Sequence, residues 1–272
     1  PHTATTHILG GAMTYSLAEL CICAAAEAFR GDGEYMVTSI GLVPRLAASL
    51  AKSTFEPGLM MTEGEAYLVS EPVPVGPRGD YKPKIEGLMT YERVFDIVNR
   101  GMRHAMVTPV QLDRYGQMNI SVVGDYDKPK TALLGVRGYP GNTINNSNSM
   151  FVPSHDARTF VDGEVDMVGG IGYNPTRWPG GKQPRYLDLR RIVSNLAVMD
   201  FGGPDHAIQV ISLHPGVTFD QVQENTGFEL AKADEIGTTV APTDDQLEVL
   251  SRLDPHEMRA TVFKGNPTGA AE

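Results

Sequence analysis

A glycine-rich stretch over residues 135–146 could bind a negatively charged group. Its sequence is Gly-Val-Arg-Gly-Tyr-Pro-Gly-Asn-Thr-Ile-Asn-Asn. Gly135 and Gly138 permit positive φ and a close approach of backbone N–H groups to a ligand, and successive N–H groups can form a concavity for an anion. Arg137 adds a permanent cation with a planar fork of donors. The stretch therefore predicts an oxyanion site. A solvated loop whose arginine pairs with a neighbouring carboxylate is the alternative, because an isolated glycine-rich turn is a weak motif.

A second place for chemistry is the acidic turn Thr62-Glu63-Gly64-Glu65, which follows a predicted strand from Leu59 to Thr62. A carboxylate where a strand meets a glycine turn lies at the carboxyl edge, where open α/β sheets bind ligands. Glu63 is therefore a candidate site residue. The alternative is an acid on a solvated turn.

Several well-known catalytic motifs are absent from the sequence: the phosphate-binding P-loop, the zinc-protease helix, the serine-hydrolase elbow and paired Cys-x-x-Cys. His155, His206 and His214 are scattered and are interpreted as structural hydrogen-bonding groups, so no metal site is expected. Cys21 and Cys23 lie two apart on a predicted helix. Side chains at that spacing point apart, so a disulfide is not expected and a reducing cytoplasm fits.

Composition narrows the function classes. The 272 residues carry a formal net charge of −10, which argues against nucleic acid or an anionic membrane as a general partner. No apolar run approaches 18 residues and no signal peptide precedes Leu17, so a cytoplasmic location is expected. We predict one α/β domain from residue 15 to 254, a disordered tail over 1–14 and a C-terminal tail over 255–272, with the last dozen residues disordered.

The elements that must position these residues begin with a helix. Ser16-Leu-Ala-Glu19 is a capping box, and apolar residues follow at helical spacing until Gly31. A strand over 35–40, a helix over 42–53 and the short strand at 59–62 come next. This strand-helix-strand order predicts a parallel sheet with helices on its faces.

The rest of the chain continues the alternation of helices and strands, with capping boxes at Thr218-x-x-Gln221 and Thr243-x-x-Gln246. The segment over 71–84 is basic and rich in proline, which is typical of a lid or a subunit contact. An exposed linker would explain this composition equally well. The further predicted elements are a helix over 91–99 capped by Thr90, strands over 103–110 and 119–123, and two long antiparallel strands over 186–201 and 207–213. Residues 149–152 are β-compatible.

Several segments together resemble the beta subunits of family I coenzyme A transferases, such as glutaconate CoA-transferase. The resemblance covers the chain from about Leu17 to Asp254 in order and spacing. The matching stretches are Gln111-x-Asp113-x-Tyr115-Gly116-x-x-Asn119, Gly124-Asp125-Tyr126-x-x-Pro129-Lys130, the loop over 135–141, and Glu224-Asn-Thr-Gly-Phe228.

One branch of this family is more similar still: the beta subunits of bacterial cholesterol ring-cleaving hydrolases, which open the last steroid ring as its CoA thioester. The stretches that carry this likeness are Met61-Thr-Glu-Gly-Glu-Ala66, Gly135-Val-Arg-Gly-x-Pro-Gly-Asn-Thr-Ile-Asn145, Gly170-Ile-Gly-Tyr173, Val193-Ser-Asn-Leu196, Asp200-Phe-Gly-Gly-Pro-Asp-His206 and Ser212-Leu-His-Pro-Gly-Val217.

Two departures from the transferase pattern distinguish a ring-cleaving hydrolase from a CoA transferase. Transferase beta chains carry a nucleophilic glutamate in a strand-end Glu-Ser-Gly or Glu-Asn-Gly, which forms a covalent glutamyl-CoA. Here Thr62 takes that position and Glu63 follows one residue later, a step that can send the carboxylate to the opposite face of a strand. Arg137 stands where the transferase loop has glycine. Both differences favour water as the attacking group.

The resemblance implies a single-domain CoA-transferase-like α/β fold, with a mainly parallel sheet, flanking helices and an antiparallel extension. It also implies an α2β2 heterotetramer with a homologous alpha subunit that supplies a catalytic glutamate as base. The expected substrate is a cyclic β-keto CoA thioester, and no separate cofactor is expected because CoA is part of the substrate. The site residues expected on this chain are Arg137 and Glu63 for catalysis, and Thr62, Gly135, Gly138, Asn142 and Asn145 for substrate binding.

Three alternatives stay open from the sequence. Glu63 could orient water or merely brace its turn. The chain could be a true CoA transferase, of the glutaconate or 3-oxoacid type, with Glu63 as the nucleophile. It could also be a non-catalytic scaffold subunit that completes the fold of its partner.

Overall fold

The computed structural model describes residues 14–63, 67–133, 135 and 138–270. Its helices and strands follow the predicted alternation for most of the chain. The α-helices are α1 (Leu17–Ala26), α2 (Leu42–Ser53), α3 (Tyr91–Asn99), α4 (Tyr139–Asn145), α5 (Phe219–Glu224) and α6 (Asp244–Leu253). The strands are β1 (Met36–Ser39), β2 (Met61–Glu63), β3 (Tyr67–Val69), β4 (Ile85–Leu88), β5 (Arg103–Val107), β6 (Gln111–Leu112), β7 (Met118–Asn119), β8 (Val122–Gly124), β9 (Pro129–Ala132), β10 (Ser147–Val152), β11 (Asp188–Ser194), β12 (Ala197–Asp200), β13 (Gln209–Leu213) and β14 (Ala231–Thr238).

The main sheet in the described part of the chain has seven strands in the order β1-β5-β10-β11-β12-β13-β14. Strands β1, β5, β10 and β11 run parallel, β11-β12 and β12-β13 are antiparallel, and β14 returns parallel to β13. A mainly parallel sheet with an antiparallel extension is therefore confirmed.

Side chains that alternate along the central strands build a core on each face of this sheet. Met106 and Phe151 belong to the core beneath α1, α2 and α6. Their neighbours along the chain, Val107 and Met150, belong to the core on the opposite face. Strands buried on both faces explain the continuous apolar runs in the sequence.

The predicted capping boxes are confirmed at the three helices concerned. The Ser16, Thr218 and Thr243 side chains each accept a hydrogen bond from the third helical residue, whose own side chain returns to the cap. Thr90 precedes α3, but its side chain makes no capping bond.

The strand predicted over 59–62 differs from expectation. Only Met60 makes a parallel bridge to Met36 of β1, and β2 then joins a separate antiparallel sheet with β3 and β4. Residues 61–63 pair with β3 rather than with the main sheet, so this short stretch does not extend that sheet.

The long strand predicted over 186–201 is two strands. The chain turns at 195–196, so that β11 and β12 pair antiparallel with Val193 opposite Val198. In that turn the Ser194 hydroxyl accepts hydrogen bonds from the backbone N–H groups of Leu196 and Ala197. A serine that replaces the ladder with such a local bond ends a strand without glycine or proline.

The C-terminal residues also differ from the predicted disorder. The backbone N–H of Leu17 donates to Pro267 and that of Gly269 donates to Tyr15, which binds this end to the start of α1. Arg259 adds a bond of 2.9 Å to Glu19. The predicted tail over 1–14 lies almost wholly outside the described residues. No helix in the described part of the chain is long and apolar enough to cross a membrane.

Candidate active site

A cleft of about 490 Å³ opens on the main sheet beside the carboxyl ends of β1 and β5. This edge is where open α/β sheets bind ligands. Helices α3 and α4 and the end of strand β9 enclose it. The apolar wall is formed by Ile40, Phe95, Val98, Val107, Ile120 and Leu133.

The predicted glycine loop borders this cleft. Gly135 and Gly138 both line it and both hold positive φ, +86° and +79°, where an L side chain would be strained. Gly138 directly precedes α4, a short helix that the sequence did not predict. Proline in the first turn is compatible with that helix, because its missing N–H has no intrahelical partner there.

The first turn of α4 is fastened to β10 by a buried amide. Asn148 accepts hydrogen bonds on Oδ1 from the Tyr139 hydroxyl at 3.1 Å and from Asn142 Nδ2 at 2.7 Å. Burial raises the pKa of Tyr139, so its hydroxyl stays a neutral donor. These bonds fix Tyr139 and Asn142 against the cleft that both residues line.

The end of α4 is joined to α3 by Asn145 and Asn146, which we call the asparagine clamp. Asn145 Nδ2 donates to the Val98 and Asn99 carbonyls at 2.9 and 3.1 Å, and Asn146 Nδ2 donates to Val98 at 3.1 Å. The clamp also reaches β5, because the Arg103 N–H donates to Asn146 Oδ1 at 3.2 Å. The clamp thus adds donors to the last carbonyls of α3, of which Val98 also accepts a bond of 3.2 Å from the Gly101 N–H.

The structure thus divides the residues predicted to bind substrate. Gly135, Gly138 and Asn142 line one cleft. Asn145 is turned away from it and holds α3, so its side chain has a positioning role. Arg137 lies outside the described residues, and its catalytic role stays a prediction.

Glu63 lies in β2 beside Thr62, in register with Tyr67 of β3, and neither Thr62 nor Glu63 lines the cleft. Its carboxylate, 11% exposed, pairs with Arg45 of α2 at 2.7 Å and with Arg78 of the proline-rich segment. The two guanidinium groups thus connect β2 to α2 and to the proline-rich segment through this carboxylate. This geometry favours the bracing role over the water-orienting one.

Sequence reasoning missed one charged residue in the cleft. Arg103 begins β5, is half-buried and lines the wall, and its Nε donates to Thr38 Oγ1 at 2.7 Å. Burial lowers the pKa of its guanidinium, which nonetheless remains charged at neutral pH. The only signal in the sequence is an arginine at the start of a strand whose last three residues are apolar.

A buried Asp32-His104-Ser149 chain resembles a hydrolytic triad in its distances alone. His104 contacts Asp32 at 2.7 Å and Ser149 at 2.9 Å. The His104 and Ser149 side chains are fully buried, so no substrate can reach them and the chain is structural. Among the described residues, no group of three His, Cys, Asp or Glu could hold a metal ion.

The structural role predicted for two other histidines is confirmed. His155 is buried between the hydroxyls of Ser194 and Thr226, at 2.8 and 2.9 Å, and burial lowers its pKa to about 4. His214 contacts Thr239 at 2.9 Å. His206 instead stacks on Tyr173, with the ring centroids 4.6 Å apart.

Comparison with known proteins places these features in a family context. The chain is 44% identical over 243 residues to the IpdB subunit of the cholesterol ring-cleaving hydrolase of Rhodococcus jostii, covering 89% of this chain and 94% of that subunit. It is 30% identical over 272 residues to a 3-oxoadipate CoA-transferase subunit of Pseudomonas knackmussii, covering 94% of this chain and 98% of that one.

Among solved structures, Rhodococcus jostii RHA1 IpdAB contains a chain that superposes with a TM-score of 0.82 at 44% identity, covering 90% of this chain and 96% of that one. No family model matches the sequence. The similarities confirm the CoA-transferase-like fold.

If Glu63 braces the fold, Glu63→Gln should lower the free energy of unfolding by about 1–2 kcal/mol, because a largely buried charge-assisted pair is lost. Arg45→Gln should cost a similar amount, and the double variant should cost less than the sum. Denaturant unfolding of the four proteins measures this cycle. Undiminished stability of Glu63→Gln together with abolished turnover would instead make Glu63 a participant in the reaction.

Proposed function

Because this chain belongs to the family of IpdB subunits of cholesterol ring-cleaving hydrolases, we propose that it is the beta subunit of a heteromeric hydrolase that opens a cyclic β-keto CoA thioester. The bond that breaks is the carbon–carbon bond between the ring ketone and the carbon next to the thioester. The observation that carries the proposal is the 44% identity over 94% of the length of the Rhodococcus jostii IpdB subunit. We further propose the last steroid ring as the ring that is opened.

The environment of Glu63 supports hydrolysis over transfer. A transferase needs a glutamate that can reach the thioester carbon. Glu63 is paired with Arg45 and Arg78 and does not line the cleft, and Thr62 carries no carboxylate in the position of that nucleophile. A site without its own nucleophile suits attack by water.

In the proposed reaction, water adds to the ring ketone while a glutamate of the alpha subunit accepts its proton. The tetrahedral oxyanion then collapses to a carboxylic acid, and the electron pair of the broken bond passes to the carbon next to the thioester as an enolate. The glutamate returns its proton to that carbon, which gives the ring-opened thioester and restores the base. Arg137 and backbone N–H groups of the loop with Gly135 and Gly138 stabilise the oxyanion charge.

An apolar, exposed rim around the cleft supports an alpha-subunit partner. Ile40 and Phe95 line the cleft but are 53% and 61% exposed, and α3 has no buried residue although its apolar side chains fall on one face. Exposed apolar surface of this extent is typical of a protein–protein interface. The homologous alpha subunit would cover the rim and close the cleft in an α2β2 assembly.

The reaction needs no cofactor, since CoA arrives as part of the substrate. The location we propose is the cytoplasm. Cys21 and Cys23 are buried free thiols, which fits a reducing compartment.

A family I CoA transferase with Glu63 as the nucleophile is the second candidate. The 30% identity to the 3-oxoadipate CoA-transferase subunit of Pseudomonas knackmussii, over 98% of its length, favours it. A non-catalytic scaffold subunit would share the fold and the interface but would not need the loop or the cleft.

The direct test is turnover by the co-expressed heteromer of a ring-intact cyclic β-keto CoA thioester, with and without acetate. Hydrolysis predicts a ring-opened CoA thioester at a rate that acetate does not change, and no activity from either subunit alone. Mass spectrometry separates the products. Formation of acetyl-CoA, or detection of a glutamyl-CoA adduct on Glu63 by borohydride trapping, would show that the protein is a CoA transferase.

Replacement of Arg137 tests the oxyanion role. Arg137→Ala should lower kcat by roughly 10²–10³, the usual scale for losing an oxyanion donor, and Arg137→Lys should recover only part of the rate because lysine lacks the planar fork. Assembly and melting temperature should barely change. The control is Arg158→Ala, since the Arg158 side chain is 90% exposed and pairs only with Asp156 among the described residues. If Arg137→Ala dissociates the heteromer while the remaining complex keeps full kcat, the role of Arg137 is structural.

A further inference from the structure

A groove of about 480 Å³ lies over β11, β12 and β13, on the face of the main sheet that packs against α1. We call it the β11–β13 groove. Its other walls are the second half of α1, residues 239–241 and the start of α6. It shares no described lining residue with the active-site cleft, whose residues Val107 and Tyr139 belong to the core on the opposite face. A ligand here would therefore occupy a separate site.

An irregularity in β11 places an arginine in this groove. Asn148 of β10 pairs with Leu189 and the next residue, Ser149, pairs with Arg191, so Arg190 is an extra residue in β11. Residues two apart on a regular strand lie on the same face, and a β-bulge changes this alternation. Leu189 accordingly belongs to the core on the opposite face, whereas Arg191 lines the groove.

A second irregularity, in β13, brings a hydroxyl group to the same face. Val198 of β12 pairs with Ser212, and the next residue, Met199, pairs with Val210, so Ile211 is an extra residue. Val210 belongs to the core on the opposite face, whereas Ile211 and Ser212 line the groove with Val198. Strands β11 and β13 are two strand spacings apart, about 10 Å, so one small molecule can contact side chains from both.

Arg191 is half-buried and brings a positive charge to the groove. It makes no ion pair and no side-chain hydrogen bond within the described part of the chain. Glu27 is the one acid among the described lining residues, and its carboxylate pairs with Arg30 at 2.7 Å. A partly desolvated cation without a counter-charge favours an anionic ligand.

The Ser212 hydroxyl proton is used within the protein. His214 Nε2 lies 2.8 Å from the Ser194 carbonyl, which can only accept, so Nε2 carries a proton. Burial lowers the pKa of His214, so the ring is neutral and its Nδ1 accepts. Thr239 therefore donates to Nδ1 at 2.9 Å, and Ser212 donates to Thr239 at 2.9 Å. The lone pairs of the Ser212 oxygen remain for a donor on a ligand.

We infer that the β11–β13 groove binds a small hydroxy acid. The carboxylate pairs with Arg191, the hydroxyl donates to Ser212, and the carbon chain packs on Val198 and Ile211. The volume and the few polar groups among apolar ones are typical of a small-molecule site. A phosphate ester would call for several cations, and the described lining offers one beside the acid Glu27. A simple fatty acid would leave Ser212 without a donor.

The test compares three eight-carbon compounds by titration calorimetry on the co-expressed heteromer: 3-hydroxyoctanoate, its methyl ester, and octanoate. The hydroxy acid should bind at least about tenfold more tightly than its ester, the scale of a charge-assisted hydrogen bond. It should bind roughly three- to tenfold more tightly than octanoate, the scale of a neutral hydrogen bond. Turnover plays no part in this measurement, so its result is independent of the proposed function.

Variants assign the two preferences to two side chains. Arg191→Met should abolish the preference for acid over ester, and Ser212→Ala should abolish only the preference for hydroxy acid over octanoate. Thr239→Val releases the Ser212 proton and should weaken that second preference. The matched control is Arg158→Met, because the Arg158 side chain is 90% exposed and does not line the groove. It should leave both preferences unchanged.

Equal affinity of wild type for the three compounds overturns the inference. A preference for the acid that survives Arg191→Met also overturns it, because the acid would then bind elsewhere. Loss of the heteromer in native mass spectrometry of Arg191→Met would mark a contact with the partner subunit and would overturn it as well. If Arg191→Met does not fold, Ser212→Ala and Thr239→Val still decide, since neither removes a charge.

Discussion

The cleft depends on the side-chain amides of the asparagine clamp, Asn145 and Asn146, rather than on apolar packing. Helix α3 forms one wall, yet none of its residues is buried, so packing within this chain contributes little to holding it. Three amide hydrogen bonds tie its last carbonyls to the end of α4, and the backbone of Arg103 completes the junction with β5. Each such bond contributes about 1 kcal/mol. The clamp thereby holds α3 beside α4 and β5 at the edge of the cleft, while the apolar face of α3 stays exposed.

The carboxylate of Glu63 lies one residue beyond the position of the transferase nucleophile, and this shift bears on the reaction. In the transferase pattern a strand-end glutamate is the nucleophile, whereas Thr62 stands here in that position and Glu63 follows. Glu63 pairs with Arg45 and Arg78, a geometry that favours a bracing role at β2 over a role in the reaction. In the proposed mechanism, the loop of Gly135 and Gly138 and the apolar cleft would bind the ring and stabilise oxyanion charge, and the base would come from the alpha chain.

Sequence patterns predicted the elements whose signals are local, and missed those set by distant contacts. The capping boxes predicted the starts of α1, α5 and α6 because both partners lie within four residues. Strand β14 was missed because Lys232, Asp234 and Glu235 suit a charged sheet edge as well as a solvated loop. In the site, the glycines were predictable from their conformational freedom. The division between Asn142 and Asn145 was not, since it depends on where α3 and β10 pass.

The source of the new carboxylate oxygen tests most directly whether water is the attacking group. The heteromer should be given a cyclic β-keto CoA thioester in water enriched in oxygen-18, and the product analysed by mass spectrometry after one turnover. Attack by water predicts one heavy oxygen in the new carboxylate and none in the thioester. An unlabelled ring-opened product, or heavy oxygen in a glutamate side chain of either chain, would show attack by the protein and contradict it.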